Sequence, residues 1–448
     1  MQSLSLKFGF NRIQLSLLGL LCLIVTPSQA VSIQEIRSPG GIEAWLVQDK
    51  SVPVISLKFA FKTGGTAYDP QGKEGLARMV AAMLDEGAGT LNSQEFQKQI
   101  QGVAARLRFS ASTDKFRGSF RTLKTNKDEA FRLLGLALKH PRFDQRAITR
   151  IREQIIANIQ RKTKDPDSIA LAAWYKEAFP NHPYGNVGDG TVSSINTLNK
   201  KDLKGFMRRH VVRNSIAIAV AGDISPIELG QKLDQVFATL PLNGTREKIM
   251  ETSVMAAGKT SVIDREIPQS VVIFGHSGIK RDHPDWYIAS VMNRILGGGG
   301  FSSRLMKEIR EKRGLAYGVY TYLNPYDYAA TYMGSVATAN ARVAESLKVI
   351  RKEWEKLADK GVTAEELEAA KTYINGSFPL RLDSTHRIAS LLLAVKVNNL
   401  GKDYLTKRAR LINAVTLPDI TRVAKEILSP MALRVVIVGR PKDIQSIP

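Results

Sequence analysis

The sequence predicts an α+β protein built from two homologous tandem halves, each a mixed or antiparallel sheet with helices packed on one face. Three observations carry this. The 448 residues exceed one ordinary domain, and a 44% apolar content is ample for packed cores. Apolar strands are separated by long groups of helices, which suits sheets covered on one side. The pattern also recurs. A strand beginning at Val52-Pro53-Val54 returns at Ile267-Pro268-Gln269, with the prolines 215 residues apart. Near the end of each half the chain leads through Asp202 or Asp419 and a helix to a strand closed by Gly222 or Gly439, each pair 217 residues apart. A nearly constant offset at both ends indicates duplication with few net insertions.

The halves are placed at 31–241 and 260–448. A polar, turn-rich linker spans 242–259, with Pro241 and Gly244 as breakers. Helices are expected near 73–86, 127–139, 145–162, 166–179 and 200–211 in the first half. In the second they are expected near 284–295, 302–313, 341–358, 363–375, 384–399 and 417–428. Leu76, Met79, Val80, Met83 and Leu84 form the apolar stripe of the first of these.

Residues 1–30 read as a signal peptide. Lys7 and Arg12 make a basic start, Ile13 to Val25 is an apolar run too short to span, and Ser28-Gln29-Ala30 offers small residues for cleavage after Ala30. Export to a bacterial periplasm is the expectation, with no membrane span. The lone cysteine, Cys22, falls in this segment, which excludes an intrachain disulfide scaffold and a cysteine zinc site. Lys+Arg 64 against Asp+Glu 42 gives a formal net charge of +22. That excess is either a well-solvated surface or a preference for anionic partners. No aromatic-studded basic segment or nucleic-acid motif accompanies it, so nucleic acid is not an expected partner.

The six histidines include no pair three or four residues apart, and surface or loop positions are expected for each. There is no Gly-x-Ser-x-Gly elbow. Two features of the second half stand out. Gly297, Gly298, Gly299 and Gly300 form a glycine-rich loop before a helix, either a bend capped by Ser302 or Ser303 or the mobile wall of a peptide cavity. Arg310 falls in the last turn of that helix, Gly314 ends it, and Tyr317 starts the next strand.

The helix run Gly75–Leu84, the duplication and the segment Arg310–Tyr317 together resemble the pitrilysin/insulinase family of zinc metallopeptidases, in the two-domain branch that includes the mitochondrial processing peptidase. The resemblance covers the chain beyond residue 30. It implies a fold forming half of a clam-shell chamber. Active members carry H-x-x-E-H in this helix, two imidazoles for the metal and a glutamate for the water. Here the three positions are Arg78, Ala81 and Ala82, and the family's further glutamate ligand falls on Asn158. A cation, two methyl groups and an amide supply neither ligands nor a general base. The chain is therefore expected to bind no zinc and to be inactive alone. The family's arginine and tyrosine that bind the substrate backbone or oxyanion match Arg310 and Tyr317. The resemblance thus implies the non-catalytic, substrate-binding subunit of a heterodimeric zinc peptidase acting on peptides. Zinc would come from a homologous H-x-x-E-H partner. The alternative is a structural or peptide-binding protein on the same fold.

Overall fold

The structure, a computed structural model, describes residues 32–245, 247–255 and 258–444. The segment read as a signal peptide lies outside the described residues. In chain order the first half holds β1 (Gln34–Arg37), β2 (Glu43–Gln48), β3 (Val54–Phe61), α1 (Leu76–Met83), α2 (Ser93–Gly102), β4 (Arg106–Ala111), β5 (Phe116–Leu123), α3 (Lys127–Lys139), α4 (Gln145–Lys162), α5 (Pro166–Ala178), α6 (Val192–Thr197), α7 (Lys200–His210), β6 (Ile216–Gly222) and α8 (Pro226–Phe237). The second holds β7 (Thr260–Ile263), β8 (Gln269–Ser277), α9 (Trp286–Asn293), β9 (Ala316–Pro325), β10 (Ala330–Ala339), α10 (Val343–Lys360), α11 (Ala364–Gly376), α12 (Thr385–Val397), α13 (Tyr404–Asn413), α14 (Leu417–Ile427) and β11 (Arg434–Val438).

The repeat has a physical basis at both ends. Asn199 and Asp202 form a capping box at the start of α7, and Thr416 and Asp419 form one at the start of α14. In each box the aspartate takes the cap residue's own N–H at 3.0 Å. β6 ends in Gly222 at φ 136°, and Gly439, at φ 145°, directly follows β11. A Cβ on Gly222 would lie 2.0 Å from the Val54 carbonyl oxygen, and one on Gly439 would lie 2.3 Å from the Ser270 hydroxyl. Both close approaches are to the same neighbouring strand of the repeat, β3 and β8, which only glycine permits.

Among the described residues, the first sheet has six strands in the order β1-β2-β6-β3-β5-β4, and the second five, β7-β11-β8-β10-β9. Both are mixed: β2–β6 and β7–β11 are parallel, and the other pairs are antiparallel. One face of each sheet meets the helical layer of its own half. Leu57, Phe59 and Phe120 pack there with Leu76, Met79 and Phe131 in the first core. Val272, Phe274 and Val435 pack with Ile350, Trp354 and Ile420 in the second.

The opposite face of each sheet carries one helix from the other half, which sequence patterning did not reveal. Helix α5 lies on β8 and β11, where the buried Trp174 indole donates to the Arg434 carbonyl at 3.2 Å. Helix α12 lies on β2, β6 and β3. Ala217, Ala219 and Ala221 of β6 sit beside Ala60, Lys58 and Ser56 on that face, and their short side chains let the helix approach. Ser56 and Thr385 share a hydrogen bond at 3.0 Å, and the Lys396 ammonium sits 4.9 Å from the Trp45 ring. Neither half covers its own sheet alone.

A buried polar knot also joins the halves. The Tyr184 hydroxyl donates to Asp114 at 2.5 Å and accepts the Tyr328 N–H at 3.0 Å, while the Asp327 N–H donates to Asp114 at 3.1 Å. Tyr68 and Tyr328 join hydroxyls at 2.7 Å. The connecting segment is bonded in as well, with Thr252 N–H on the Tyr328 carbonyl and Met255 N–H on that of Ala178, both at 2.8 Å.

Candidate functional site

Helix α1 begins where Gly75 turns the chain at φ 93°. The Asp69 carboxylate takes the Gly75 and Ala77 N–H groups, each at 2.9 Å. Burial pushes the Asp69 carboxyl up to about 8, against the pull of those backbone donors. Arg78 projects from the first turn, Ala81 is buried and Ala82 half-buried. Asn158, on the adjoining α4, accepts from Arg161 at 3.2 Å and does not reach α1 by any hydrogen bond.

What occupies this corner is a charge bridge. Asp189 accepts from Arg78 of α1 with one carboxylate oxygen and from Lys162 of α4 with the other. Its side chain is only 10% exposed, and each cation 43%. The carboxylate is held there by a tightly seated loop. Gly190 sits at φ 79°, and a Cβ on it would lie 2.1 Å from the Glu74 carbonyl oxygen. These residues do not fit a metal. Two cations flank a single carboxylate, and the alanines offer no donor atom. Among the described residues no three His, Cys, Asp or Glu side chains are placed to share a metal ion.

Two of the six histidines, His210 and His276, differ from the surface or loop placement expected of them, whereas His140, His283 and His386 are exposed and His182 is half-buried. His210 is buried, with Nδ1 against the Thr63 carbonyl, and desolvation lowers it to about 4. His276 is buried on β8 and accepts from the Trp354 indole at 3.1 Å. Both are satisfied core residues.

The glycine run differs from a plain loop. Gly297 and Gly298 continue α9 as a π-helical stretch, Arg294–Gly298, and Gly300, at φ 58°, opens a 3-10 turn. A Cβ on Gly297 would lie 2.5 Å from the Thr321 hydroxyl, so the missing side chain lets the widened turn press on β9. Ser303 makes the cap, its hydroxyl accepting the Met306 N–H at 3.4 Å. The helix expected at 302–313 is also largely π-helical, at Met306–Glu311. Such widened turns are concentrated at functional sites.

Arg310 and Tyr317 are brought together. The Arg310 guanidinium carbon lies 4.5 Å from the Tyr317 ring centre and 4.4 Å from that of Phe301, on the glycine-rich turn. Tyr317 is 82% exposed and Phe301 61%. Stacking uses the flat surface of the guanidinium and leaves its in-plane N–H donors. No carboxylate pairs with Arg310 among the described residues. A cleft of about 550 Å³ adjoins Tyr317, between the start of β9, the end of β10 and Asp167 at the start of α5. β9 is an edge strand, and its pairing with β10 slips between Val336 and Thr338, opposite Tyr317 and Gly318.

Residues 46–190 match the insulinase (peptidase family M16) model, and residues 197–374 the peptidase M16 inactive domain model. A Helicobacter pylori protein named "Non-peptidase homolog YmxG" is 32% identical over 79% of this chain and 81% of its own. The chain belongs to the M16 family. Among solved M16 structures, a peptidase M16 inactive domain from Pseudomonas fluorescens is 27% identical, with a TM-score of 0.86 over 93% of this chain and 99% of that one. A protease from Helicobacter pylori has the same fold, with a TM-score of 0.82 at 20% identity over 91% of this chain and 99% of that one.

Within this M16 chain, sequence reasoning located Arg78, Ala81, Ala82 and Asn158 but missed Asp189 and Lys162. Lys162 lies one helical turn after Asn158, a spacing that places both on one face of α4. Phe301 was missed as a site residue although it borders the glycines.

Proposed function

We propose that this chain is the non-catalytic, substrate-binding subunit of a periplasmic heterodimeric zinc metallopeptidase. A homologous H-x-x-E-H partner supplies the metal and the base. Arg310 and Tyr317 of this chain bind the peptide backbone or the developing oxyanion at the shared site. One contrast carries the reading. The corner that would hold zinc is filled by the Arg78–Asp189–Lys162 bridge, whereas Arg310 and Tyr317 are preorganised against each other and accessible. Preset donors aimed at developing charge are worth most where no reorganisation is needed. The relative's name, a non-peptidase homolog, fits a chain without its own zinc motif. Export rests on the pattern of residues 1–30.

The test is native co-purification from the periplasm of the source organism, with the bound chains identified by mass spectrometry. Recovery of a similar-sized chain carrying H-x-x-E-H supports the reading. A chain recovered alone, or only with unrelated proteins, contradicts it in favour of a scaffold role.

A further inference from the structure

Helices α1 and α4 run antiparallel along a shared seam. Arg78, in the first turn of α1, and Lys162, the last residue of α4, bond the two oxygens of Asp189, and past the other end of α1 Glu86 bonds Arg150 of α4. Ala82 lies one turn after Arg78, and Ile155, Asn158 and Lys162 follow one another at helical spacing on α4. The polar side chains at the Arg78 end of this seam are donors. Arg78 and Lys162 carry no acceptor, and Asn158 spends its Oδ1 on Arg161 at 3.2 Å, which leaves its amide N–H groups. Among the described residues neither Arg78 nor Lys162 pairs with any carboxylate except Asp189. The acids nearby are engaged elsewhere: Glu86 by Arg150 and Ser93, and Asp69 by the Gly75 and Ala77 N–H groups. Of the two cations that meet Asp189, one is therefore uncompensated. The floor of the seam is apolar, since the half-buried Ala82 and Ile155 pack on the first core and keep some contact with solvent.

Asp189 itself shows what this pair of cations grips. One carboxylate already spans both heads, so their spacing suits a second one. Guanidinium and ammonium each keep donors after bonding Asp189, and both side chains are 43% exposed, open to a ligand from solvent. We propose that the corner between α1 and α4 binds a carboxylate group of a peptide, clamped by Arg78 and Lys162 with the Asn158 amide as a further donor. A single negative charge matches the uncompensated cation. A phosphate monoester carries about −1.5 to −2 at neutral pH, and its excess would face the fixed Asp189 carboxylate. An apolar side chain next to the bound carboxylate would lie on Ala82 and Ile155, which favours a peptide over a bare inorganic anion. The same donors that exclude a metal ion thus suit an anion. The carboxylate follows from these residues alone; the peptide as its carrier rests on the reading of the chain as a peptide-binding subunit.

The experiment uses this chain alone, so it is independent of any partner. Fluorescence anisotropy would follow two labelled pairs: Gly-Ser-Val-Leu as free acid and as amide, and the amides of Gly-Ser-Glu-Leu and Gly-Ser-Gln-Leu. In at least one pair the carboxylate peptide is expected to bind about tenfold tighter than its neutral counterpart, as a charged hydrogen-bonded contact allows. Preference for the free acid assigns the group to a peptide C-terminus, and preference for Glu assigns it to an acidic side chain. Arg78→Gln and Lys162→Gln should each weaken that peptide by about tenfold, with thermal scans confirming that both variants are folded. On the parent chain, N-acetyl-leucine should displace the peptide at concentrations about tenfold below N-acetyl-leucinamide, and below inorganic phosphate. Equal affinity within both pairs, no binding, indifference to both substitutions in folded protein, or displacement by phosphate before N-acetyl-leucine would overturn the proposal. Failure here, with a partner still recovered by co-purification, would remove this site and leave the subunit assignment standing. A carboxylate preference in a chain that recovers no partner would do the reverse.

Discussion

Replacing Asp189 by Asn keeps the shape of the corner between α1 and α4 and removes the charge that Arg78 and Lys162 share. The carboxylate is 10% exposed, but both cations are 43% exposed and can turn to water. Breaking a fully buried pair costs roughly 3–5 kcal/mol, whereas an exposed pair is worth at most about 1. Two half-exposed charged hydrogen bonds at about 1 kcal/mol each give a loss of about 2 kcal/mol. An unfolding entropy of about 2.1 cal/mol/K per residue, over roughly 410 residues, turns this into a Tm decrease of about 2 °C. Urea unfolding and thermal scans at low salt would measure it. A cycle with Arg78→Met should show coupling of about 1 kcal/mol, shrinking in about 1 M NaCl as the charges are screened. A Tm within about 0.5 °C of the parent and no coupling would show that the bridge is ornamental, because even exposed pairs reach that size.

Three further outcomes are expected. The purified chain, dialysed against micromolar zinc, should retain less than about 0.1 metal per chain by elemental analysis, since the ligand positions Arg78, Ala82 and Asn158 offer a cation, a methyl and an amide; stoichiometric, chelator-sensitive zinc would contradict this. His210 is held neutral in the fold at about 4, below its unfolded value near 6.5, so stability should be full above about pH 6.5 and fall by as much as about 3 kcal/mol as pH drops towards 4. His210→Gln should flatten that slope of Tm against pH, and an unchanged slope would place the acid sensitivity elsewhere. Gly222→Ala, at φ 136° and 2.0 Å from the Val54 carbonyl oxygen, should cost more than about 2 kcal/mol in denaturant unfolding; a near-neutral result would mean the β6 end relaxes freely.

Local chemistry made most of the fold legible. Lys127–Lys139 and Gln145–Lys162 match the expected helices to the residue, because their apolar stripes and turn-forming neighbours are local signals. The paired capping residues and strand-ending glycines carried the duplication. What stayed hidden depends on contacts distant in sequence. That α5 and α12 each cover the opposite half's sheet cannot be read from either helix's own stripe. The π-helical turns around the glycine run arise from packing on Thr321 and β9, with no propensity signature of their own. Of the candidate site, Arg78, Ala81 and Ala82 were legible through a motif at fixed spacing. Asp189 was not, since a lone carboxylate between glycines resembles any turn.

If this M16 chain lends Arg310 and Tyr317 to a site completed by another chain, both side chains act on the reaction only in the assembled pair. Steady-state kinetics on the reconstituted pair, comparing the parent with Arg310→Ala and Tyr317→Phe, test it most directly. Arg310→Ala should lower kcat by about 10²-fold or more, the loss typical of an oxyanion donor, with complex formation unchanged by sedimentation. Tyr317→Phe should lower it by about tenfold, since one donor is lost while the ring that flanks the guanidinium remains. Full kcat in both variants, in an intact complex, would contradict the account.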